Sequence, residues 1–362
     1  GVSMSPLAEV LHDAGLDIRG SDMAESSNTL TLRERGIPIH IGHSADNVTD
    51  DISFVIRTAA VHDDNPEVHE AHRRGIPVFE RTQAWGALMR GYQNALCISG
   101  THGKTTTTSM CTHIMMAAEK DPTVMIGGTL PLLKACHRVG KGNTIIMESC
   151  EYYNSFLALN PTIAVVLNIE ADHLDFFKDL EDIKHSFRCF AERVPAETGT
   201  VIANYDDANT MDALRGIARK VITFGLNAKA DVYAQNIVHR GSVSEFDIYH
   251  RGNYFARVTL HVPGIHNVRN ALAATAAAIV LGVSPNAVKY GLAGFEGAGR
   301  RFDFKGKFQG ADLYDDYAHH PSELRALLDA VDTLNYQRTI VVFQPHTYSR
   351  TAKLFNDFLE QL

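Results

Sequence analysis

"SGTHGKTTTTS", residues 99–109, places two glycines, a lysine and a run of threonines directly behind the apolar stretch "ALCIS" (95–99). A buried strand that turns through glycines into a helix suits polyphosphate. The glycines let backbone amides wrap the anion, and the helix amino terminus adds about half a positive charge. Gly100, Gly103, Lys104 and Thr105 are the expected phosphate-contacting residues. Lys104 would reach the β- and γ-phosphates, and the Thr105 hydroxyl would face Mg2+. Ile98 stands where a full-length loop of this type has its first glycine. A plain glycine turn between strand and helix is the competing reading.

The rhythm on either side is that of a parallel α/β protein. Upstream, "IRGSD" (18–22), "IPIHIG" (37–42), "ISFVIRT" (52–58) and "IPVFE" (76–80) read as strands, each bounded by Gly, Pro or Asp. "SNTLTLRERG" and "NPEVHEAHRRG" between them read as helices that stop at Gly36 and Gly75. The opening "GVSMSPLAEVLHDAG" is a helix with no strand before it, which suggests a lost first strand with Gly1 as the last glycine of its loop. Downstream, "NTIIM" (143–147), "PTIAVVLN" (161–168), "GTVIANYDD" (199–207) and "KVITFG" (220–225) are further strands. Residues 230–264 read as hairpins, and "HNVRNALAATAAAIVLG" as a long helix. "DLYDD" (312–316), a helix from Pro321 and the strand "TIVVFQ" (339–344) begin a third block that looks unfinished at Leu362. Three blocks are therefore expected: 1–93, 94–299 and 300–362.

Composition narrows the class. The 362 residues are 45% hydrophobic and 21% charged, as in a soluble globular protein of several domains. The apolar runs are too short or too alanine-rich to span a bilayer, so no membrane role is expected. Net charge is −8 with no Lys/Arg block, which argues against nucleic acid. Five scattered cysteines without a CxxC pair fit a reducing cytoplasm.

Polar clusters follow the strands: "GTHGKT", "ESCE", "EADHLD", "DDYAHHP" and "PHTYSR". In parallel sheets, ligands sit beyond the carboxyl ends of strands. Glu148 and His173 would suit a divalent cation on the phosphates, with Asp172 or Asp175 in support; a cap or an ion pair is the plainer role for Glu148. Asn267 and Asn270 lie near one helical face and could read an adenine edge, or Asn267 could cap its helix. Arg300 and Arg301 could clamp a transferring phosphoryl group or simply be solvated. Asp316, Tyr317, His319, His320, His346 and Arg350 would form a small polar pocket, in which Arg350 could fork a carboxylate and a histidine could accept a proton from an amine.

Together these runs resemble the Mur ligases, ATP-dependent amide-bond formers of peptidoglycan precursor synthesis. "GTHGKT" is similar to their shortened phosphate loop, "NIEADHLD" to their metal-histidine segment and "HNVRNALAA" to their adenine segment. "GTHGKTTTT", "GRRFD", "DDYAHHP" and "FQPHTYSRT" look like the members that attach L-alanine to UDP-N-acetylmuramate. The resemblance runs over all 362 residues. It implies a three-domain α/β architecture: a UDP-sugar-binding Rossmann-like domain, a central ATPase domain and an amino-acid-binding Rossmann-like domain, the last incomplete.

Carried over residue by residue, the resemblance implies UDP-sugar contacts at Gly1, Ser3, Met4, Ser21, Asp22 and His43. It implies ATP contacts along 100–106 and at Asn267, Asn270 and Arg301. The implied metal ligands for Mg2+ or Mn2+ are Thr105, Glu148 and His173; the implied amino-acid contacts are Tyr317, His319, His346 and Arg350. Lys104, Arg301, His319 and Asp316 are the implied catalytic set. The run "ESCEYYNSF" departs from the family pattern, with Cys150 and Tyr152 at acidic positions, and leaves the role of Glu151 open. The implied reaction joins L-alanine to the lactyl carboxylate through an acyl phosphate, in the cytoplasm, by a monomer or homodimer. Two rivals stand beside it. One is a recycling ligase that joins a whole peptide to the same sugar nucleotide; the other is a phosphate switch without ligase chemistry, which leaves "DDYAHHP" and "PHTYSRT" without a use.

Overall fold

Strands rich in Ile, Val and Ala, buried on both faces, set the centre of the computed structural model, which describes residues 4–58 and 60–362. The chain divides into two compact units between Gly91 and Tyr92. The first runs α1 (Ser5–Asp13), β1 (Gly20–Asp22), α2 (Ser27–Glu34), β2 (Ile39–Ile41), β3 (Val55–Arg57), α3 (Pro66–Arg73), β4 (Val78–Glu80) and α4 (Arg81–Met89). The expected strands form, as parallel pairs β1–β2 and β3–β4. Ser26 and Asn65 cap the two helices between them by accepting hydrogen bonds from first-turn amides. The expectation placed on Gly1 and Ser3 lies outside the described residues.

The second unit continues with β5 (Asn94–Ser99), α5 (Lys104–Ala117), β6 (Thr123–Leu130), β7 (Ala135–Arg138), β8 (Thr144–Glu148), β9 (Ile163–Val166), α6 (Leu180–Glu192), β10 (Thr200–Asn204), α7 (Ala208–Ala213) and β11 (Lys220–Gly225). There follow β12 (Val232–Arg240), β13 (Val243–His250), β14 (Asn253–Leu260), α8 (Ile265–Val280), α9 (Pro285–Ala293), β15 (Asp303–Phe308), β16 (Ala311–Asp315), α10 (Pro321–Asp332), α11 (Tyr348–Lys353) and α12 (Phe355–Gln361). Among the described residues, β14-β13-β12-β11-β10-β9-β5-β8-β6-β7 form one ten-stranded sheet. Its centre, β12 to β6, is parallel, and both edges, β12-β13-β14 and β6-β7, are antiparallel. β5, β8, β9 and β10 are buried over nearly all their length, so they read as continuous apolar runs.

Helices α5 and α8 pack together over this sheet with Ala271–Ala278, Met110 and Ile114 between them. The small alanines allow close approach. Since β5, β8 and β9 are adjacent and parallel, their carboxyl ends bring the loops after Ser99, Glu148 and Val166 to one edge.

Two expectations need correction. "TIVVFQ" (339–344) is not a strand: Ile340 is 72% and Val342 94% exposed, and no strand among the described residues pairs with it. β-propensity reflects a fit to a neighbouring strand rather than a backbone preference. "DLYDD" does form a strand, β16, but in an antiparallel hairpin with β15 rather than in a parallel unit.

Candidate active site

The phosphate loop is built as its residues dictate. Gly103 has φ +83°, and a Cβ there would lie 2.6 Å from Asn270 Oδ1, so neither the conformation nor the space admits a side chain. Asn168, beyond β9, fixes the loop by accepting from the Thr101 amide at 3.1 Å (backbone carbonyl) and the His102 amide at 2.8 Å (side-chain oxygen). The first-turn amides of α5 then point out of the helix, where an anion satisfies them.

Lys104 Nζ donates to Gly100 O at 2.5 Å and Thr101 O at 3.1 Å, and reaches Glu151 Oε2 at 3.0 Å. Burial works against its charge, but Glu151, with Cys150 and Glu148, outweighs that and raises the pKa above the usual lysine value. Glu151 is itself 2% exposed and lies 3.7 Å from His173 Nε2. Burial lowers the His173 pKa against the pull of Asp172 and Glu151, and Tyr152 stacks on the ring at 4.3 Å.

Thr105 Oγ1 donates to Glu148 Oε1 at 3.0 Å, and the other Glu148 oxygen accepts from the Gly127 amide at 2.7 Å. A Cβ at Gly127 would stand 2.5 Å from Glu148, which explains the glycine in mid-strand. Hard oxygen donors from Thr105 and Glu148, with a neutral imidazole at His173, suit Mg2+ or Mn2+. The structure gathers these as two neighbouring pairs, Thr105 with Glu148 and Glu151 with His173, rather than as one three-ligand cluster.

A cavity of about 410 Å3 opens on the far side of the loop, lined by Gly103, Thr106, Asn267, Asn270, Arg301 and Phe295 among others. Asn267 Nδ2 donates to Pro263 O at 2.7 Å, and its oxygen accepts from Asn270 at 3.2 Å. Arg301 approaches Glu323 at 3.8 Å and lies over the Tyr317 ring at 5.4 Å. His102 bridges Glu170 at 3.3 Å and Glu323 at 3.2 Å. Burial opposes its protonation, but the two carboxylates prevail and lift the His102 pKa to about 9.

Asp316, also in the cavity wall, accepts from the Phe302 and Ala318 amides, both at 2.7 Å, and burial raises its pKa. His319 Nδ1 lies 2.8 Å from Tyr317 O and 3.3 Å from Glu323. Arg350 pairs with Asp172 through two nitrogens at 3.0 and 3.2 Å, and donates to His346 O at 2.7 Å. Burial pushes the Asp172 carboxyl up, but the His173 ring when protonated, and the Arg350 guanidinium, outweigh it and hold it below the usual range. Arg350 and His173 thus share a wall at Asp172, whereas His346 presents only its backbone to Arg350.

In the first unit, Ser21 Oγ donates to Glu67 at 2.6 Å, and His43 Nδ1 lies 3.2 Å from both. Asn47 donates to the second Glu67 oxygen at 2.7 Å. Asp22 ends β1, where its carbonyl accepts from Gly42 N at 2.9 Å, and Met4 sits at the N-cap of α1. Sequence reading passed over Glu67, Gly127, Glu170, Ser322 and Glu323. The detectable signals were Glu170 inside the acidic run "NIEADHLD" and Glu323 three residues after His320, the capping-box spacing.

Comparison with known proteins agrees with this layout. Three family models match: the Mur ligase family catalytic domain at residues 1–93, the Mur ligase middle domain at 98–278 and the Mur ligase glutamate ligase domain at 300–362. The chain is 46% identical over its whole length to the UDP-N-acetylmuramate–L-alanine ligase of Agathobacter rectalis, spanning 79% of that protein. It is 45% identical to the enzyme of the same name from Clostridium novyi, over 99% of this chain and 78% of that one. The crystal structure of UDP-N-acetylmuramate-alanine ligase from Thermotoga maritima superposes with a TM-score of 0.80 at 30% identity, covering 100% of this chain and 81% of that one. A murein-peptide ligase from Neisseria meningitides, specific by its name for L-alanyl-γ-D-glutamyl-meso-diaminopimelate, gives 0.72 at 26% identity, over 82% of this chain and 96% of that one. With three domain models in order and full-length relatives at this identity, the chain belongs to the Mur ligase family.

Proposed function

We propose that this chain is an ATP-dependent ligase that joins L-alanine to the lactyl carboxylate of UDP-N-acetylmuramate, in peptidoglycan precursor synthesis. The observation that carries the reading is the single cavity to which the phosphate loop, Asn267, Asn270 and Arg301 all contribute. ATP would lie with its base toward the two asparagines and its phosphates on the α5 amino terminus. A lactyl carboxylate oxygen attacks the γ-phosphorus, the bond to the β-phosphate oxygen breaks, and ADP leaves. Lys104 and Arg301 bear on the charge of the transferring group. A hard divalent cation held by Thr105 and Glu148, with His173 at a second position, would neutralise phosphate oxygens.

The alanine amine then attacks the acyl carbon and inorganic phosphate departs. His319 is the proposed base for the ammonium proton, and Arg350 the proposed partner of the alanine carboxylate, which would displace Asp172 from it. Ser21 and His43, held by Glu67, are proposed UDP-sugar contacts, with Gly1, Ser3, Met4 and Asp22 from the family pattern. The division 1–93, 94–299 and 300–362 is the proposed assignment of sugar, ATP and amino-acid domains. Among the described residues no helix is long and apolar enough to cross a membrane, and all five cysteines are free. A cytoplasmic site of action follows as part of the proposal.

The test is phosphate release by the full chain with ATP, Mg2+, UDP-N-acetylmuramate and single amino acids. Release that requires both the sugar nucleotide and L-alanine is expected. Release without either one would refute the reading, and preference for a tripeptide over L-alanine would move it to the recycling branch.

A further inference from the structure

His102, Glu170 and His320 converge on one hydroxyl group. Ser322 Oγ lies 3.0 Å from His102 Nε2, 2.7 Å from Glu170 Oε2 and 2.7 Å from His320 Nδ1. Between the donors themselves, Glu170 Oε2 is 3.3 Å from His102 Nε2 and 3.9 Å from His320 Nδ1. One ligand atom from each residue falls within 4.8 Å of the other two, and no other such group of His, Cys, Asp or Glu occurs among the described residues. The three come from separate elements: the phosphate loop, the segment after β9 and the N-cap of α10.

We propose that His102, Glu170 and His320 form a binding site for a transition-metal ion of the Zn2+ class, separate from the hard-cation oxygens of Thr105 and Glu148. Two imidazoles and one carboxylate are a borderline-soft donor set that favours Zn2+ over Mg2+. Ligands about 2.0–2.1 Å from a tetrahedral ion stand about 3.3 Å apart, which matches the Glu170–His102 separation and asks the 3.9 Å Glu170–His320 separation to close slightly. Ser322 Oγ occupies the point from which all three donors are reached. Rotation about its Cα–Cβ bond vacates that point and leaves the hydroxyl or a water as fourth donor.

The ring nitrogens facing away from Ser322 are buried and without hydrogen-bond partners, at His102 Nδ1 and at His320 Nε2. His102 Nδ1 approaches Glu323 Oε1 at 3.2 Å, close enough for that carboxylate to favour a metal-bound ring electrostatically. His320 is only 7% exposed, yet its Nε2 has no hydrogen-bond partner. Because His102, Glu170 and Ser322 also line the nucleotide cavity, an ion here fastens α10 to the phosphate loop and narrows the way in for nucleotide. On the ligase reading above, Zn2+ is therefore an inhibitor that excess Mg2+ does not displace.

Binding is tested apart from activity, so its outcome is independent of that reading. Co2+ is titrated into the full chain at mildly alkaline pH without nucleotide, following the visible bands of four-coordinate cobalt, and is then displaced by Zn2+. One equivalent with a four-coordinate spectrum is expected. His320→Gln and Glu170→Gln should each weaken uptake at least about tenfold, whereas His185→Gln, beside the thiol of Cys189 at 3.5 Å, should not. Thermal melting without metal establishes that each variant is folded. Absence of saturable four-coordinate uptake by the unaltered chain overturns the proposal, as does unchanged affinity in either folded variant.

Discussion

Glu151→Gln is a sharp probe of the site, because it removes one charge and almost no volume. Lys104 Nζ sits 3.0 and 3.2 Å from the two Glu151 oxygens, and Glu151 is 2% exposed. Two unit charges about 3 Å apart attract by about 5 kcal/mol at an effective dielectric constant near 20. Breaking such a buried pair by neutralising one partner typically costs about 3–5 kcal/mol, because the other charge stays buried. Glutamine keeps one acceptor oxygen, and the carbonyls of Gly100 and Thr101 still hold the ammonium, so the low end, about 3 kcal/mol, is expected.

Urea denaturation at neutral pH measures it. The double variant Lys104→Met/Glu151→Leu separates causes, since replacing both charges with apolar groups is often near neutral. A loss below about 1 kcal/mol for Glu151→Gln, or an equal loss in the double variant, would refute the argument that an unpaired ammonium is the source of the cost.

Other outcomes follow from the same coordinates. Lys104→Ala should slow acyl-phosphate formation about 100- to 1,000-fold, the usual effect of removing one charge donor; more than a tenth of the original turnover would remove Lys104 from the chemistry. Arg350→Ala should raise the KM for L-alanine with little change in kcat, and an unchanged KM would exclude Arg350 from the amino-acid pocket. Gly103→Ala, strained at φ +83° and 2.6 Å from Asn270 Oδ1, should abolish nucleotide binding in equilibrium dialysis. On the acid side, burial lowers both His113 and His266 to about 4. The unfolded chain therefore binds more protons between about pH 6.5 and 4, and stability present above that window is lost as pH falls through it. About 1–2 kcal/mol per histidine should vanish by pH 5. His113→Gln should flatten the pH profile of the urea midpoint, and an unaltered profile would contradict this.

The parallel core was legible because double-sided burial writes uninterrupted apolar runs, and each such run ended in the polar residues now found at one sheet edge. β6 was not legible. "MIGGTL" carries two glycines that read as a break, yet Gly127 is glycine because the Glu148 carboxylate presses against the strand there. "TIVVFQ" failed in the opposite sense, since a strong strand composition does not supply a pairing partner. Lys104, Glu148 and His173 could be picked out by their positions after strands. Glu67 could not, because a carboxylate that acts by holding another side chain leaves the same mark in sequence as a solvated one; the acidic run around Glu170 and the capping-box spacing of Glu323 marked a place but not which side chain each would hold. The proximity of Arg350 to Asp172 spans 178 residues, and no local pattern encodes it.

Glu323 takes part in two structures at once. Its Oε2 accepts from the His319 and His320 amides at 2.9 and 3.3 Å, which closes the first turn of α10, and its Oε1 meets the His102 ring. The start of a helix and the electrostatics of the phosphate loop therefore share one carboxyl group. When α10 shifts, the loop histidine loses a counter-charge; when that histidine changes charge, the helix end feels it. Glu323, beside the Ser322 hydroxyl that also reaches His102, therefore ties the helix end and the loop into one electrostatic unit.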